Sequence, residues 1–272
     1  MSELPATSTV HHCDDEAATT AGVAAAVDAI RDGGLIVMPT DTVYGIGCDA
    51  FDAGAVSALL AAKGRGRHVP PPVLVPGPAT VDGLATEVPG YARELIEEFW
   101  PGPLTLVLRA QASLVWDIGE TNGTVALRMP DHPVALAVLR AVGPMAVTSA
   151  NRTGAPAATT VDDAQAQLGD AVSVYLGTTD GPVGEALPST IVDCTGMRPT
   201  ILRQGALPQA EIDRVVEATT AAADAAAAAE RRAYDEALAA AERARRREAA
   251  VQARAADPRR NGPRVAGARR RP

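Results

Sequence analysis

A single lysine stands among the 25 basic residues of the chain. It is Lys63, the first residue of KGRGR at 63–67, and Val56, Leu59 and Leu60 precede it at helical spacing. That spacing puts Lys63 on the apolar stripe of a helix, so its ammonium is expected to aim over a sheet edge rather than into bulk water. Every other basic position is arginine, so a lysine kept here suggests a site that needs a compact ammonium on a flexible stem. The competing reading is a helix-end lysine that offsets the dipole and snorkels. Arg65 follows two residues later, with Gly64 and Gly66 loosening the turn. This is no Walker loop, because GxxxxGK[ST] is absent.

A second stretch with chemistry in it is PTDTVYGIG at 39–47, directly after the apolar run GGLIVM. Hydroxyls at Thr40 and Thr42 donate and accept, which suits the ammonium and carboxylate of an amino acid. Gly45 and Gly47 permit close backbone approach. An ordinary polar strand exit, with Thr and Asp capping a turn, explains the same residues. The third stretch is TSAN at 148–151, whose short hydroxyl and amide side chains can hold phosphate or ribose oxygens, or simply make a turn. Arg128 ends the run TVALR, Ser189 opens STIVD and Arg203 closes ILR. Three arginines at strand ends or turns, Arg65, Arg128 and Arg203, on an acidic body suggest a pocket for an anionic ligand.

These residues need elements to hold them. Residues 16–33 read as a helix stopped by Gly33 and Gly34, and 35–38 as a buried strand. The opening stretch would then sit at a strand's C-terminal end, where ligands of open α/β sheets collect. Asp52 can cap a helix running to about Lys63. Strands are expected near 73–75, 104–109, 124–128, 144–148, 172–176, 188–193 and 199–203, and helices near 89–99, 132–142 and 160–168. Thr160 and Asp163 give the last helix a capping-box-like start. Thr195-Gly196 between two β-rich runs reads as a hairpin, so the sheet is expected to be mixed.

At 47% hydrophobic and 21% charged, the 272 residues predict a globular α/β core, filled by aliphatic side chains because aromatics are only 3%. No run reaches the roughly 20 apolar residues of a membrane span, and the N-terminus does not read as a signal peptide. Cys13, Cys48 and Cys194 lack CxxC spacing, which predicts reduced thiols in a cytoplasmic protein and no zinc site. Cys48 reads as a packing residue. Residues 1–217 carry net charge −14 and residues 218–272 carry +6, and composition turns Ala- and Arg-rich at the same boundary. Residues 218 to about 255 read as a solvated helix and the rest as disordered. This tail is either a compositional appendage or a basic arm that touches RNA.

PTDTVYGIG, KGR, WPGPLT (100–105), ALRMPDHP (126–133), TSAN, STIVD (189–193) and ILRQG (201–205) occur in this order. Together they resemble the L-threonylcarbamoyladenylate synthase family, also called YrdC-like, over about 20–215. The resemblance implies one YrdC-like α/β domain at 16–217, a twisted mixed sheet with flanking helices around a deep positive cavity. A flexible N-terminus at 1–15 precedes it, and the helical, then disordered tail at 218–272 follows it. It implies a nucleotidyltransferase that makes threonylcarbamoyl-AMP and pyrophosphate from L-threonine, bicarbonate and ATP, for N6-threonylcarbamoyladenosine next to the tRNA anticodon. ATP is a substrate, Mg²⁺ arrives with it, and no protein-bound metal site is implied. Threonylcarbamoyl-transferase proteins are the implied partners, with tRNA as a further one.

By motif match, Lys63 and Arg65 are the catalytic pair, and they bind ATP with Ser149, Asn151 and Arg203. Thr40, Thr42, Arg128 and Ser189 take the threonine side. Residues 67–75 depart from the family's usual KxRPxxNPL continuation, and Ala157 replaces a small polar residue, so nothing is carried over there. Two readings from other classes remain open. One is a non-catalytic tRNA- or double-stranded-RNA-binding module, for which Lys63→Ala would barely matter. The other is a carbamoyl-phosphate-linked maturation factor, although the zinc-finger and acylphosphatase segments of such proteins are missing here.

Overall fold

The structure, a computed structural model, describes residues 8–179 and 187–255. The expected disorder after 255 therefore lies outside the described residues. Contacts divide the chain into two units, residues 1–219 and 220–272.

The first unit runs β1 (Thr9–His12), α1 (Glu16–Arg31), β2 (Ile36–Met38), β3 (Gly45–Asp49), α2 (Ala53–Lys63), β4 (Val73–Leu74), α3 (Val81–Leu84), β5 (Ala85–Thr86) and α4 (Gly90–Phe99). It continues with β6 (Leu104–Ala110), β7 (Thr124–Arg128), α5 (Pro133–Val142), β8 (Met145–Ser149), α6 (Val161–Leu168), β9 (Val174–Gly177), β10 (Thr190–Asp193) and β11 (Thr200–Arg203). A last helix, α7 (Gln209–Ala255), begins in this unit and supplies the described part of the second.

The strands form one mixed sheet in the order β1-β9-β2-β3-β8-β4-β7-β6-β10-β11, with β5 added beside β6. Pairs β1·β9, β2·β9, β4·β7 and β6·β10 are parallel, and β2·β3, β3·β8, β4·β8, β6·β7 and β10·β11 are antiparallel. The twisted mixed α/β architecture expected from the sequence is the one observed. Helix starts follow their caps. Asp52 accepts from the N–H of Gly54 and Ala55, and Thr160 from that of Asp163.

Two parts of the sequence reading change. The segment expected to be flexible up to residue 15 contains β1, which pairs in register with β9 from Thr9↔Val174 to His12↔Gly177. Its four residues alternate too weakly to announce a strand, and the edge of the sheet supplies what the pattern lacks. Residues 39–47 are also not simply a strand exit. Gly45 starts β3, antiparallel to β2 through Met38↔Gly45, so residues 39–44 are a hairpin turn.

Apolar packing covers both sheet faces. Ala26 and Ile30 of α1 join Val134, Val138 and Leu139 of α5 over Ile36, Met38 and Met145. Leu59 and Leu60 of α2 and Leu95 of α4 lie in a second cluster with Ile46, Leu104, Leu106 and Leu108. Strand alternation then decides what β6 and β7 offer elsewhere. Leu106 and Leu127 join that cluster, while Thr105, Thr124, Ala126 and Arg128 line a cavity. Ile212 and Val215, in the first turns of α7, are buried against the same cluster.

Candidate active site

The cavity has a volume of about 740 Å³, the scale of a small-molecule site. Of the nine residues singled out in the sequence, it is lined by Thr40, Thr42, Arg65, Arg128, Ser149, Asn151, Ser189 and Arg203. Lys63 does not line it. Instead Lys63 is buried, and its Nζ donates to the backbone oxygens of Ser149 and Asn151, both at 2.5 Å, and to Asn151 Oδ1 at 3.0 Å. The cause is local. Gly64 caps α2 in the left-handed conformation (φ 63°), and the Arg65 N–H bonds back to Leu60 O. The helix end thus turns in toward the end of β8, and Arg65 emerges on the cavity side.

The expectation that the Lys63 ammonium reaches a ligand directly therefore differs from the geometry. Its three protons are spent on the 149–151 turn. Burial, and then the neighbouring Arg65 guanidinium, pull its pKa down to about 8. Asn151 is equally committed: Nδ2 donates to Arg152 O and Ala155 O, while Oδ1 takes Lys63. Backbone joins side chain, because Thr153 N donates to Lys63 O at 3.1 Å. Lys63, Ser149 and Asn151, expected as one set, are thus directly bonded to one another. Arg65 stands beside them, its Nη1 3.4 Å from Thr148 Oγ1.

Opposite lies the group built on Arg128, which is buried at the end of β7. Its Nε donates to Gly102 O, Nη1 to Thr42 Oγ1 (3.0 Å) and Nη2 to Asp41 Oδ1. Three of five N–H groups are fixed, which leaves one on each terminal nitrogen for a ligand. Burial lowers its pKa against the pull of Asp41, and a guanidinium stays charged regardless. Thr40 Oγ1 donates to Val43 O and accepts from the N–H of Thr42 and Val43. Thr42 Oγ1 lies 3.1 Å from Thr40 Oγ1, and because the Thr40 proton goes to Val43 O, the Thr42 hydroxyl is placed to donate to Thr40 while it accepts from Arg128.

Ser189 and Arg203 close the third side. Arg203 Nη2 donates to Ser189 O at 2.7 Å and to Ser189 Oγ at 3.2 Å, and Ser189 Oγ lies 2.8 Å from Thr105 Oγ1. A close crossing makes this possible: a Cβ on Gly205 would collide with Pro188 O. Burial, then Arg128, then Arg65 lower the Arg203 pKa, so the three arginines feel one another's charge. Among the described residues, Glu120 is the sole carboxylate in the cavity wall. An anion entering here would relieve repulsion that the fold has already assembled.

Two residues escaped the sequence reading. Asp41 is partly buried, with its side chain 10% exposed; its Oδ1 accepts from Arg128 and from the Asp131 N–H (3.0 Å), while its buried Oδ2 has no partner. Thr105 is buried in the cavity wall beside Ser189. Both sit inside quoted stretches, PTDTVYGIG and WPGPLT, and the signal available was a polar residue next to a buried run. Gly45 and Gly47 have a different use from the one expected. A Cβ on either would stand 2.7 Å from a methyl of Val147 across the β3·β8 pair, so they make room for a neighbouring strand. Cys48 is fully buried and its thiol is pushed up to about 12 by burial, then by Asp49 and Asp52, which fits packing rather than chemistry. Among the described residues, no group of three or more His, Cys, Asp or Glu gathers to hold a metal, and no helix is long and apolar enough to cross a membrane.

A mixed-sheet α/β protein with an arginine-walled, hydroxyl-lined cavity is the class that fold and site define. The model of the Sua5/YciO/YrdC family, described as telomere recombination, matches residues 28–205. A Mycobacterium tuberculosis protein provisionally named threonylcarbamoyl-AMP synthase is 53% identical over 204 residues, 75% of this chain and 93% of that one. The threonylcarbamoyl-AMP synthase of Pyrococcus abyssi is 36% identical over 188 residues, covering 69% of this chain and 55% of its own. The solved structure of P. abyssi Sua5 complexed with L-threonine matches with TM-score 0.71 at 33% identity, over 76% of this chain and 61% of that one. The chain belongs to the Sua5/YciO/YrdC family.

Proposed function

We infer that this chain is an L-threonylcarbamoyladenylate synthase, a nucleotidyltransferase that forms threonylcarbamoyl-AMP and pyrophosphate from L-threonine, bicarbonate and ATP. The observation that carries this reading is the convergence of Arg65, Arg128 and Arg203 on one cavity with the hydroxyls of Thr42 and Ser189. The amine of threonine and bicarbonate form an N-carboxylate with loss of water. Its oxygen attacks the α-phosphorus of ATP, and the bond from that phosphorus to the bridging oxygen breaks, releasing pyrophosphate. Two anions are driven together, so positive charge fixed in advance is the largest contribution a site can make.

Each wall has a part in this. Arg65 and Arg203 face the phosphates, on the side where Ser149 meets the nucleotide. Arg128 offers its two remaining N–H groups to the threonine carboxylate. Thr42, Thr105 and Ser189 address the amino acid's polar groups. Lys63 acts as a positioning residue: it locks the 149–151 turn and adds a positive charge behind it. Mg²⁺ comes with ATP, since among the described residues the wall has only Glu120 to offer a metal, and that is too little to bind one alone. The product serves the threonylcarbamoyl modification of tRNA through partner transferases, in the reducing cytoplasm that suits three free cysteines.

The direct test is product analysis with labelled bicarbonate, threonine and ATP. The expected result is a labelled adenylate that forms only when all three are present. A non-catalytic RNA-binding module would give no such product, and the synthase reading would then be abandoned.

A further inference from the structure

The described part of the second unit, residues 220–255, is helix throughout, and nearly all of its described side chains are exposed. Its sequence places Arg243, Arg246, Arg247 and Arg254 on one helix. At 3.6 residues per turn these four fall within an arc of roughly 100°. From Arg243 to Arg254 the other residue in the arc is Ala250, and Glu242 and Glu248 fall outside it; Glu236, two turns before Arg243, is the nearest acid on the same face. All four arginines are exposed, and among the described residues none is held in an ion pair. The stripe spans about 16 Å along the axis, at 1.5 Å per residue.

A helix that is solvated all round gains nothing from gathering one sign of charge on one face. Like charges three and four residues apart cost a few tenths of a kcal/mol per pair. Glu at Arg247, four residues after Arg243, would have relieved that cost and still formed helix. Alanine between the arginines keeps the face low, so a rigid backbone of phosphates can approach the guanidinium groups closely. Residues 256–272 continue the same sign, with six arginines against one aspartate.

We propose that the Arg243, Arg246, Arg247 and Arg254 stripe docks the phosphate backbone of a structured RNA. An anionic membrane fits less well, because from Arg243 to Ala255 the sole apolar side chain larger than alanine is Val251, too little for a helix to sink into a lipid interface. The choice of RNA over DNA rests on the synthase reading, whose product is destined for tRNA. Arginine forks suit phosphate oxygens, and binding by this stripe is governed by charge and shape rather than base identity.

The test uses the full chain and a fluorescent, unmodified tRNA transcript, with binding read by anisotropy from low to physiological salt. Replacing the four arginines together by Gln should weaken binding about tenfold or more near 150 mM salt. It should also flatten the log–log salt dependence by about three to four, close to one counterion for each phosphate that is no longer neutralised. The four-fold Lys variant should bind nearly as well as the parent, which separates loss of charge from loss of helix. Pyrophosphate release should be the same in all three proteins, so failure of this proposal and failure of the synthase reading are told apart. Unchanged RNA binding by the Gln variant overturns the proposal. So does tighter binding to duplex DNA than to tRNA at equal salt, or binding to phosphatidylglycerol vesicles with none to RNA.

Discussion

Lys63 tests how far a residue's role follows from its type and place. The sequence showed that this position resists the drift to arginine and lies on a buried stripe, and both facts hold in the structure. What it could not show is the ammonium's partners, because they are oxygens 86 and 88 positions away in sequence. The same distance hid the pairing of Asp41 with Arg128. Lys63→Ala would leave Asn151 O and Asn151 Oδ1 without their Lys63 donor, at about 1–3 kcal/mol for each buried group, while Ser149 O keeps the Asn151 N–H. It is expected to fold with a lowered Tm and to lose pyrophosphate release about a hundredfold or more. Lys63→Arg should recover part of it, since the fork is too broad for a niche shaped to an ammonium. The pH profile adds a separate readout. With its pKa drawn down to about 8, Lys63 loses its proton as pH rises through 8, so activity should fall on that limb. In the arginine variant the charge persists, and the residual activity should stay level through that range; the same falling limb in both would show that another group titrates. Substrate choice belongs to this scale as well. A threonine hydroxyl bonded by Thr42 or Ser189 should favour threonine over valine by about 1–3 kcal/mol, roughly 5- to 150-fold, for the buried hydrogen bond that valine cannot make. Serine, lacking one methyl, should fall behind by about 1 kcal/mol. Pyrophosphate release at fixed ATP and bicarbonate should rank threonine, serine, valine. Valine equal to threonine would mean that these hydroxyls do not read the amino acid.

Elements were legible where pattern and cap agreed. Asp52 and Thr160 announced α2 and α6, and the apolar runs announced β6, β7 and β8. β3 was not legible, because GIGCD has the glycines of a turn and weak strand propensity. Pairing explains them: β3 lies between β2 and β8, and Val147 of β8 occupies the space that side chains at Gly45 and Gly47 would need. That position carries a stability prediction. A Cβ on Gly47 would meet Val147 Cγ2 at 2.7 Å and Ala146 O at 2.9 Å, and backbone oxygen cannot swing aside. Gly47→Ala should cost about 1–3 kcal/mol by overpacking, or roughly 3–10 °C in Tm for a domain of this size. The same change at Gly83, where nothing lies within 4 Å, should be neutral or slightly stabilising. Scanning calorimetry of the two variants checks both. Equal melting temperatures would show that β3 can shift away from β8, and the tight packing claimed for this pair would be wrong. The same pair ends at Ser149, so a shifted β3 would also be expected to disturb the Lys63 contacts.

For the whole molecule the question is which part of the chain the reaction needs. Every residue assigned to the site lies between Thr40 and Arg203, on elements that pair or pack within the first unit. α7 complicates a cut at the compositional boundary, since its first turns are structural: Ile212 and Val215 are buried, and Arg214 bonds Glu98 at 2.6 Å. Beyond those turns no side chain of the helix is buried among the described residues. Composition located the change of character well, and could not locate the last core contact, because Ile212 and Val215 sit in a stretch of ordinary helix formers. We propose that residues 218–272 are dispensable for adenylate synthesis, as the site and the buried side chains that support it all lie at or before Val215. A chain ending at Glu217 should keep its Tm within a few degrees and release pyrophosphate at the parent rate. A chain ending at Ala206 loses Leu207, Ile212 and Val215 together. Burying one such side chain is worth about 1.5–3 kcal/mol, so this shorter form should melt far lower or fail to fold. If the chain ending at Glu217 folds with an unchanged Tm yet loses synthesis, the second unit contributes to the chemistry itself. The site would then have to be redrawn to include it.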